Sequence, residues 1–450
     1  MHSLTTQVKI SNSLESNLFS QLSSWRKLLK QGHLHEFESQ ISACMMDLQN
    51  RITEHLLQEV GQELISELMD QAWEAGGRKV EVRPLSIRLV SGHMIKVASP
   101  YVKQPGSAWK GARHMLAQHW GILGGATPAL YDKVGYCAAL GPSYELAHQT
   151  LSKFGVQMCV SSVRHLTNQM ATFCYDHGEA DLMLYDGENL VGKRVVISTD
   201  GGRTRTRHYS GERTQSGYEK YETPWREPKL FVIDVLDESG CPDRRELPIY
   251  GCRFGQADFF NLLENYLKQL KIDQAKEVQI IADGAPWIWN HIQPMLLNLN
   301  VKADRITQTL DYYHASGYVH QLIEQMPKRI NKRQRKCYLA QFKDWLWQGK
   351  SNLIVQQCRM IYERGSQEVK RWIDYLDKHQ PKMQYADFEK DKLMCGSGII
   401  ESAIRRIINL RFKNAATFWD KGTVEKLFCL RAALLAGRWD NLIHNIANVN

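Results

Sequence analysis

The chain has 450 residues, too many for one ordinary core, so two or three domains are expected. Its 43% hydrophobic and 23% charged shares are those of a globular protein, and its net charge of +9 is compatible with a polyanionic partner without requiring one. No run approaches the roughly 18 uninterrupted apolar residues of a membrane span, and the opening "MHSLTTQVKI" lacks the apolar core of a secretory signal.

Ten cysteines are scattered without a C-x-x-C pair, which argues against a zinc ribbon or a disulfide scaffold and for reduced thiols in a cytoplasm. "QGKS" ends like a phosphate-binding loop, but Asp344 stands where the leading glycine is needed. No nucleotide site follows from it.

Residues 1–75 read as a helical region: "LFSQLSSWRKLL" and "ITEHLLQEVGQELISELMDQAW" place apolar residues at three- and four-residue steps. Residues 76–180 open with "RKVEVRPLSIRLVSGHMIKVASPYVKQP", which alternates like a small antiparallel sheet. A helix from about Tyr144 to Phe154, a break at Gly155 and a second helix from Ser161 or Ser162 then match helix-turn-helix spacing. The second helix would offer Ser161, Ser162, Arg164, His165 and Asn168 to a DNA groove or phosphate, although many helical hairpins share this layout.

From residue 190 the texture changes. "KRVVISTDGG", "KLFVIDVLDESG" and "RELPIYGCRF" read as three strands, "ADFFNLLENYLKQL" as an amphipathic helix, "EVQIIADGAPWIWNHI" as a strand entering a helix, and "ADRITQTLDYYHA" as a fifth strand. That order is the order of the ribonuclease H-like fold. The fold class read from the sequence is therefore α/β: a ribonuclease H-like catalytic domain with a helical insertion, preceded by a mostly helical region holding a small sheet and a helix-turn-helix. Its core would span residues 190–314 and 395–450, split by a helical block over 315–394 that is rich in basic ("MPKRINKRQRK") and aromatic residues.

The strands "RVVISTD" and "VQIIAD" each end in an aspartate followed by glycine, Asp200 and Asp283. Apolar runs of this kind mark central strands, which would bring both carboxylates to one sheet end, while the glycines let the backbone turn away. Two uncompensated carboxylates repel and raise each other's pKa; a divalent cation held by oxygen ligands, Mg²⁺ or Mn²⁺, removes the conflict. In the final block, Ser397 reads as an N-cap, Ile400, Ile404 and Ile407 as a buried stripe, and Glu401 lies at its edge, able to complete the set. Two ions roughly 3.5–4 Å apart would serve an in-line displacement at phosphorus. Strand-end Asp-Gly is also ordinary turn chemistry, and Glu401 can equally pair with Arg405 one turn on.

"STDGGRTR", "ADGAPWIWN", "LDYYHA" and "GSGIIESAIRRIINLRFKNAATFW" together resemble the signature blocks of bacterial insertion-sequence transposases of the DDE class, ISKra-type, related in layout to Mutator-like elements. The resemblance covers roughly residues 190–435. It implies that Asp200, Asp283 and Glu401 form a metal-binding catalytic triad, that Asp311 and His314 are an accessory D-x-x-H element, and that the 315–394 block is the insertion that helps hold DNA. It also implies double-stranded DNA partners (terminal inverted repeats and target), a homodimer or higher oligomer on DNA, and a cytoplasmic, nucleoid-associated protein. Relatives often carry paired N-terminal cysteines; this chain has none.

Arg203, Arg205 and Arg207 share one face of a strand by their two-residue spacing, a row suited to phosphates or to a solvated, salt-bridged surface. Arg405, Arg406, Arg411 and Lys413 follow Glu401 and are expected to neutralise an entering DNA strand. Trp287 and Trp289 are expected to pack the helix after Asp283. The reading is a DNA transposase that cleaves element ends and joins the freed 3′-hydroxyl to target DNA. The alternatives are a structure-selective nuclease of the same fold without strand transfer, and a DNA-binding regulator derived from a transposase. Paired carboxylates also serve glycosidases, against which the arginine-rich surroundings speak.

Overall fold

The computed structural model describes residues 21–103, 112–363, 365–413 and 418–449. The opening of the N-terminal helical region, the end of the "ASPYVKQP" segment and the "NAAT" of the final block lie outside the described residues. The chain divides into two compact units, Met1–Met170 with Asn445–Asn450, and Ala171–His444.

In the first unit a helix of 41 residues, Leu34–Glu74, precedes an antiparallel sheet of order β1-β2-β3, formed by Arg78–Arg88, Met94–Lys103 and Ala112–His114. Register pairs Leu85 with Val97 and Ile87 with Ile95. Alternation turns these four inward, where they form one core with Leu68 and Leu116, with Leu57 and Leu64 packed against it. The helices Tyr144–Lys153 and Val160–Asp176 flank Gly155, whose φ of +82° is the left-handed conformation that a sharp helix end requires. Ser143 caps the first through Leu146 N at 3.1 Å. The Tyr144 hydroxyl donates to Asn168 Oδ1 at 3.1 Å, which ties the two helices together.

The second unit is built on a five-stranded mixed sheet of order β11-β10-β4-β8-β9. Its strands are β4 (Arg194–Gly201), β8 (Lys229–Leu236), β9 (Ile249–Arg253), β10 (Glu277–Ala282) and β11 (Ile306–Leu310). β4, β10 and β11 run parallel, whereas β8 is antiparallel to both β4 and β9. The β-branched runs Val195–Ile197 and Val278–Ile281 are buried, because parallel strands in the middle of a sheet are covered on both faces. The helix Gln256–Gln269 carries the chain from β9 to β10, and its Phe259 and Tyr266 pack edge-on against Phe231 of β8.

A second small sheet leaves the core after β4. Its strands are β5 (Thr204–Arg213), β6 (Glu219–Glu222), β7 (Trp225–Arg226) and β12 (Trp419–Asp420). Only Thr204 and Thr206 of β5 are buried.

Helices Tyr312–Glu324, Lys332–Trp347, Ser351–Ile361, Gln367–Lys378 and Tyr385–Lys390 form a block with its own core, centred on Leu322, Phe342, Leu346, Ile354 and Leu376. Within its basic run, Arg335 donates to the carbonyls of Glu324, Met326 and Ile330, closing the end of the first helix, while Lys328, Arg329, Lys332, Arg333 and Lys336 are exposed. All ten cysteines are free thiols, and no described helix is long and apolar enough to cross a membrane.

Buried Arg438, ahead of the helix Trp439–Val449, donates to both Glu188 carboxylate oxygens at 2.6 and 2.7 Å and to the carbonyls of Met183, Leu247 and Pro248. Removing one partner from such a buried pair costs roughly 3–5 kcal/mol. Arg438→Met is expected to lower the unfolding free energy by that much, read as a lower urea midpoint with the slope of the transition unchanged.

Candidate active site

The parallel register of β4 with β10 pairs Thr199 with Ala282, so the next residues, Asp200 and Asp283, stand side by side at the carboxyl ends of adjacent strands. Strand alternation puts Asp200 on the face of Val196 and Asp283 on the face of Ile281, the one face on which Met394 and Ile399 pack. Ile399 belongs to the helix Gly398–Ile404, which carries Glu401 and lies against β4 and β8. The sheet therefore places both aspartates on the side from which the glutamate's helix approaches.

Burial pushes the Asp200 carboxyl up to about 6; a 2.6 Å hydrogen bond from Gly201 N pulls the other way, and the charges of Asp283 and Glu227 add to the rise while His314 opposes it. Asp283 Oδ1 accepts from Ala285 N at 2.9 Å, and its carbonyl accepts from Trp289 Nε1 at 2.8 Å. Trp289 also packs on the core of the helical block, and Trp287 packs edge-on against Phe259, so both tryptophans serve the packing role expected of them. Gly284 is required by close approach: a Cβ there would stand 2.1 Å from Cε2 of Tyr375. The Tyr375 ring meets Tyr318 at 4.1 Å in a tilted contact, and Tyr318 lines an open pocket of about 390 Å³ together with Tyr313, His314 and Gly317.

Glu227, Tyr318 and Tyr375 were not singled out from the sequence. Glu227 lies in the irregular "TPWREPK" link, where no periodicity marks it, yet a Cβ on Gly201 would meet its Oε1 at 2.6 Å. Lys229 pairs with it at 3.6 Å.

Asp311 is fully buried and acts as a junction. It caps the helix Tyr312–Glu324 by accepting from Tyr313 N and His314 N, at 2.6 and 3.0 Å. Its other oxygen accepts from Ser397 N at 2.9 Å and from the Ser397 hydroxyl. Ser397 holds the N-cap position as expected, but its hydroxyl is committed to Asp311 and caps no backbone N–H. Around this junction Tyr312 N donates to Cys395 O, and the Gln279 side chain of β10 bonds both the N–H and the carbonyl of Met394. These bonds fix where the glutamate's helix begins. His314 is exposed and electrostatically within reach of Asp200.

The stripe Ile400, Ile404 and Ile407 is buried, and Glu401 is exposed at its edge with no ion pair to Arg405 among the described residues. Among those residues no group of three or more His, Cys, Asp or Glu side chains is gathered as a metal cage. What the sheet ends bring together is the adjacent pair Asp200 and Asp283, two oxygen donors of the type a hard cation takes, with the Glu227 charge near enough to add to the rise in the Asp200 pKa that burial causes.

The basic residues separate into two kinds. Arg203, Arg205, Arg207, Arg405 and Lys413 are exposed. Arg411 is a correction to the expected surface set: it is 1% exposed and lies over the Trp419 ring at 5.3 Å, inside the core. It follows the stripe residue Ile407 by four, a spacing that already marks the buried face. Arg406 is half-buried and donates to the Tyr250 hydroxyl at 2.9 Å. In the first unit Ser161, Arg164 and His165 are exposed and Ser162 is partly so, and Ser161, Ser162 and His165 line a shallow pocket of about 280 Å³ with Arg88.

No protein-family profile matches the chain, and no curated protein matches it. Among solved structures the Drosophila P element transposase strand transfer complex is similar at 15% identity, covering 71% of this chain and 81% of that one, with a TM-score of 0.26. Nothing about this chain's chemistry follows from so distant a likeness.

Two outcomes are expected. A carboxyl whose folded pKa is raised gives stability that is complete below its unfolded value near 3.8 and is lost as pH rises through about 6. In chelator, Asp200→Asn is therefore expected to melt above the wild type at pH 7.5, and the advantage should vanish near pH 4. Asp311→Ala leaves three N–H donors without their acceptor, of which the buried Ser397 N alone costs about 1–3 kcal/mol, and should lower the urea midpoint far more than Ser397→Ala.

Proposed function

We propose that the chain is a DNA transposase whose second unit is a ribonuclease H-like phosphoryl-transfer domain. One observation carries the reading: an adjacent pair of partly buried carboxylates, Asp200 and Asp283, at the carboxyl ends of parallel neighbours in a sheet of order β11-β10-β4-β8-β9, with a glutamate-bearing helix packed on the same face. Three strands followed by two parallel returns is the sheet order of ribonuclease H-like enzymes.

Asp200, Asp283 and Glu401 would hold two Mg²⁺ or Mn²⁺ ions, which supply an activated oxygen nucleophile and charge neutralisation at phosphorus when bound. The chain's own groups do the rest. Asp311 and Ser397 set the start of the glutamate's helix, and Gly284 under Tyr375 holds the turn after Asp283. His314 stands within electrostatic reach of Asp200. Arg203, Arg205, Arg207, Arg405 and Lys413 provide phosphate contacts around the acids. In the first unit, Ser162, Arg164 and His165 on the helix after Gly155 are the groups offered to the terminal repeats. The reaction frees a 3′-hydroxyl at an element end and joins it to target DNA, with the protein acting as a homodimer or higher oligomer on two ends in the cytoplasm.

The test uses purified full-length chain and a plasmid carrying the DNA that flanks its reading frame. Asp200→Asn, Asp283→Asn and Glu401→Gln are each expected to lose end cleavage by about 10³-fold or more while binding the same DNA as wild type. Joining of a precut end separates a transposase from a hydrolytic nuclease. Undiminished Mg²⁺-dependent cleavage by Asp283→Asn would falsify the assignment.

A further inference from the structure

The arginine row on β5 does not stand alone. Pairing sets Arg205 opposite Trp225 of β7 and Tyr209 opposite Tyr221 of β6. The Arg205 guanidinium lies 5.0 Å from the Trp225 ring centroid, and that of Arg207 lies 4.9 Å from Tyr221. Tyr221 in turn meets Tyr209 edge-on at 5.8 Å. One sheet face therefore alternates cation and ring.

These rings are not core residues. Trp225 is 51% exposed, Tyr209 43% and Tyr221 42%. The hairpin's acids lie off the face or stand beside basic residues. Glu222 opposes His208, and both lie on the opposite side by strand alternation. Glu212 is held by Lys220 at 3.0 Å, and Glu219 opposes Arg213 at the far end. What remains is positively charged, aromatic and in water.

Arginines alone would suffice for the phosphates of a closed duplex. Exposed rings between them add something a duplex cannot use, because its base faces are already stacked. Unpaired bases have free π-faces, and base–aromatic stacking beside a cationic track is the general means of holding single strands. We propose that this face of β5, β6 and β7 is a stacking track for single-stranded DNA. Because β5 begins at Thr204, four residues beyond Asp200, the track leads away from the acid pair. That the strand it holds is one opened at the acids rests on the transposase reading; the binding itself does not.

The experiment is fluorescence anisotropy of the full chain in chelator, with fluorescein-labelled oligodeoxythymidine of about 16 nucleotides and, separately, a mixed-sequence duplex of equal length. Trp225→Ala and Tyr221→Ala are each expected to weaken single-strand binding about tenfold and to leave duplex binding unchanged. Both side chains are exposed, so melting temperatures should stay at the wild-type value. Arg205→Lys, which keeps the charge and loses the planar group, should weaken single-strand binding by a smaller factor. Asp283→Asn should bind the oligonucleotide as wild type does, which keeps this result separate from the cleavage assay. Three outcomes overturn the proposal: no single-strand binding by the wild type, binding indifferent to both ring deletions, or equal loss on single strand and duplex.

Discussion

The in-register parallel pairing of β4 with β10 is the constraint around which the second unit is arranged. It sets two partly buried aspartates next to each other, and like charges on neighbouring strand ends are unfavourable. Burial is the main cause of the elevated Asp200 pKa, and the neighbouring Asp283 charge adds to it. A fold that merely needed turns at these strand ends could have used asparagine without the penalty. Keeping both acids makes physical sense when a cation resolves the repulsion, as the transposase reading requires.

Around the acids the backbone is fixed by contacts that leave little slack. Tyr375 leaves no room for a side chain at position 284, and the Glu227 carboxylate abuts Gly201. The helix beyond Glu401 passes through a π-helical turn, Arg405–Asn409, and buried Arg431 donates to the Arg406 and Ile407 carbonyls. A widened turn placed directly after the glutamate is a local departure from regular helix within the same segment that approaches the sheet ends.

Much of this was legible in the sequence because it is written in short-range patterns. β-Branched runs ending in Asp-Gly announced β4 and β10, and three-to-four spacing announced the helix under Ile400, Ile404 and Ile407. What was missed depends on groups that meet only in three dimensions. The roles of Glu227, Tyr318 and Tyr375 come from segments far apart in the chain, and no local periodicity marks them. Arg411 looked like a surface cation because charge was weighed above its place on the apolar stripe. Trp225 and Tyr221 acquire their arginine partners from strand register across a hairpin, which residue types alone do not specify.

The hydrogen bonds around Asp311 have one more implication. The helical block leaves the sheet after Leu310 and returns at Cys395, and Tyr312 N meets Cys395 O at 2.9 Å, so both passages occur through a single narrow neck. A cassette joined in this way can lengthen, shorten or change its outer surface without altering strand register at the neck. The strand register that sets Asp200 and Asp283 abreast is thereby left to the sheet, while the block still reaches the turn after Asp283 through Tyr375.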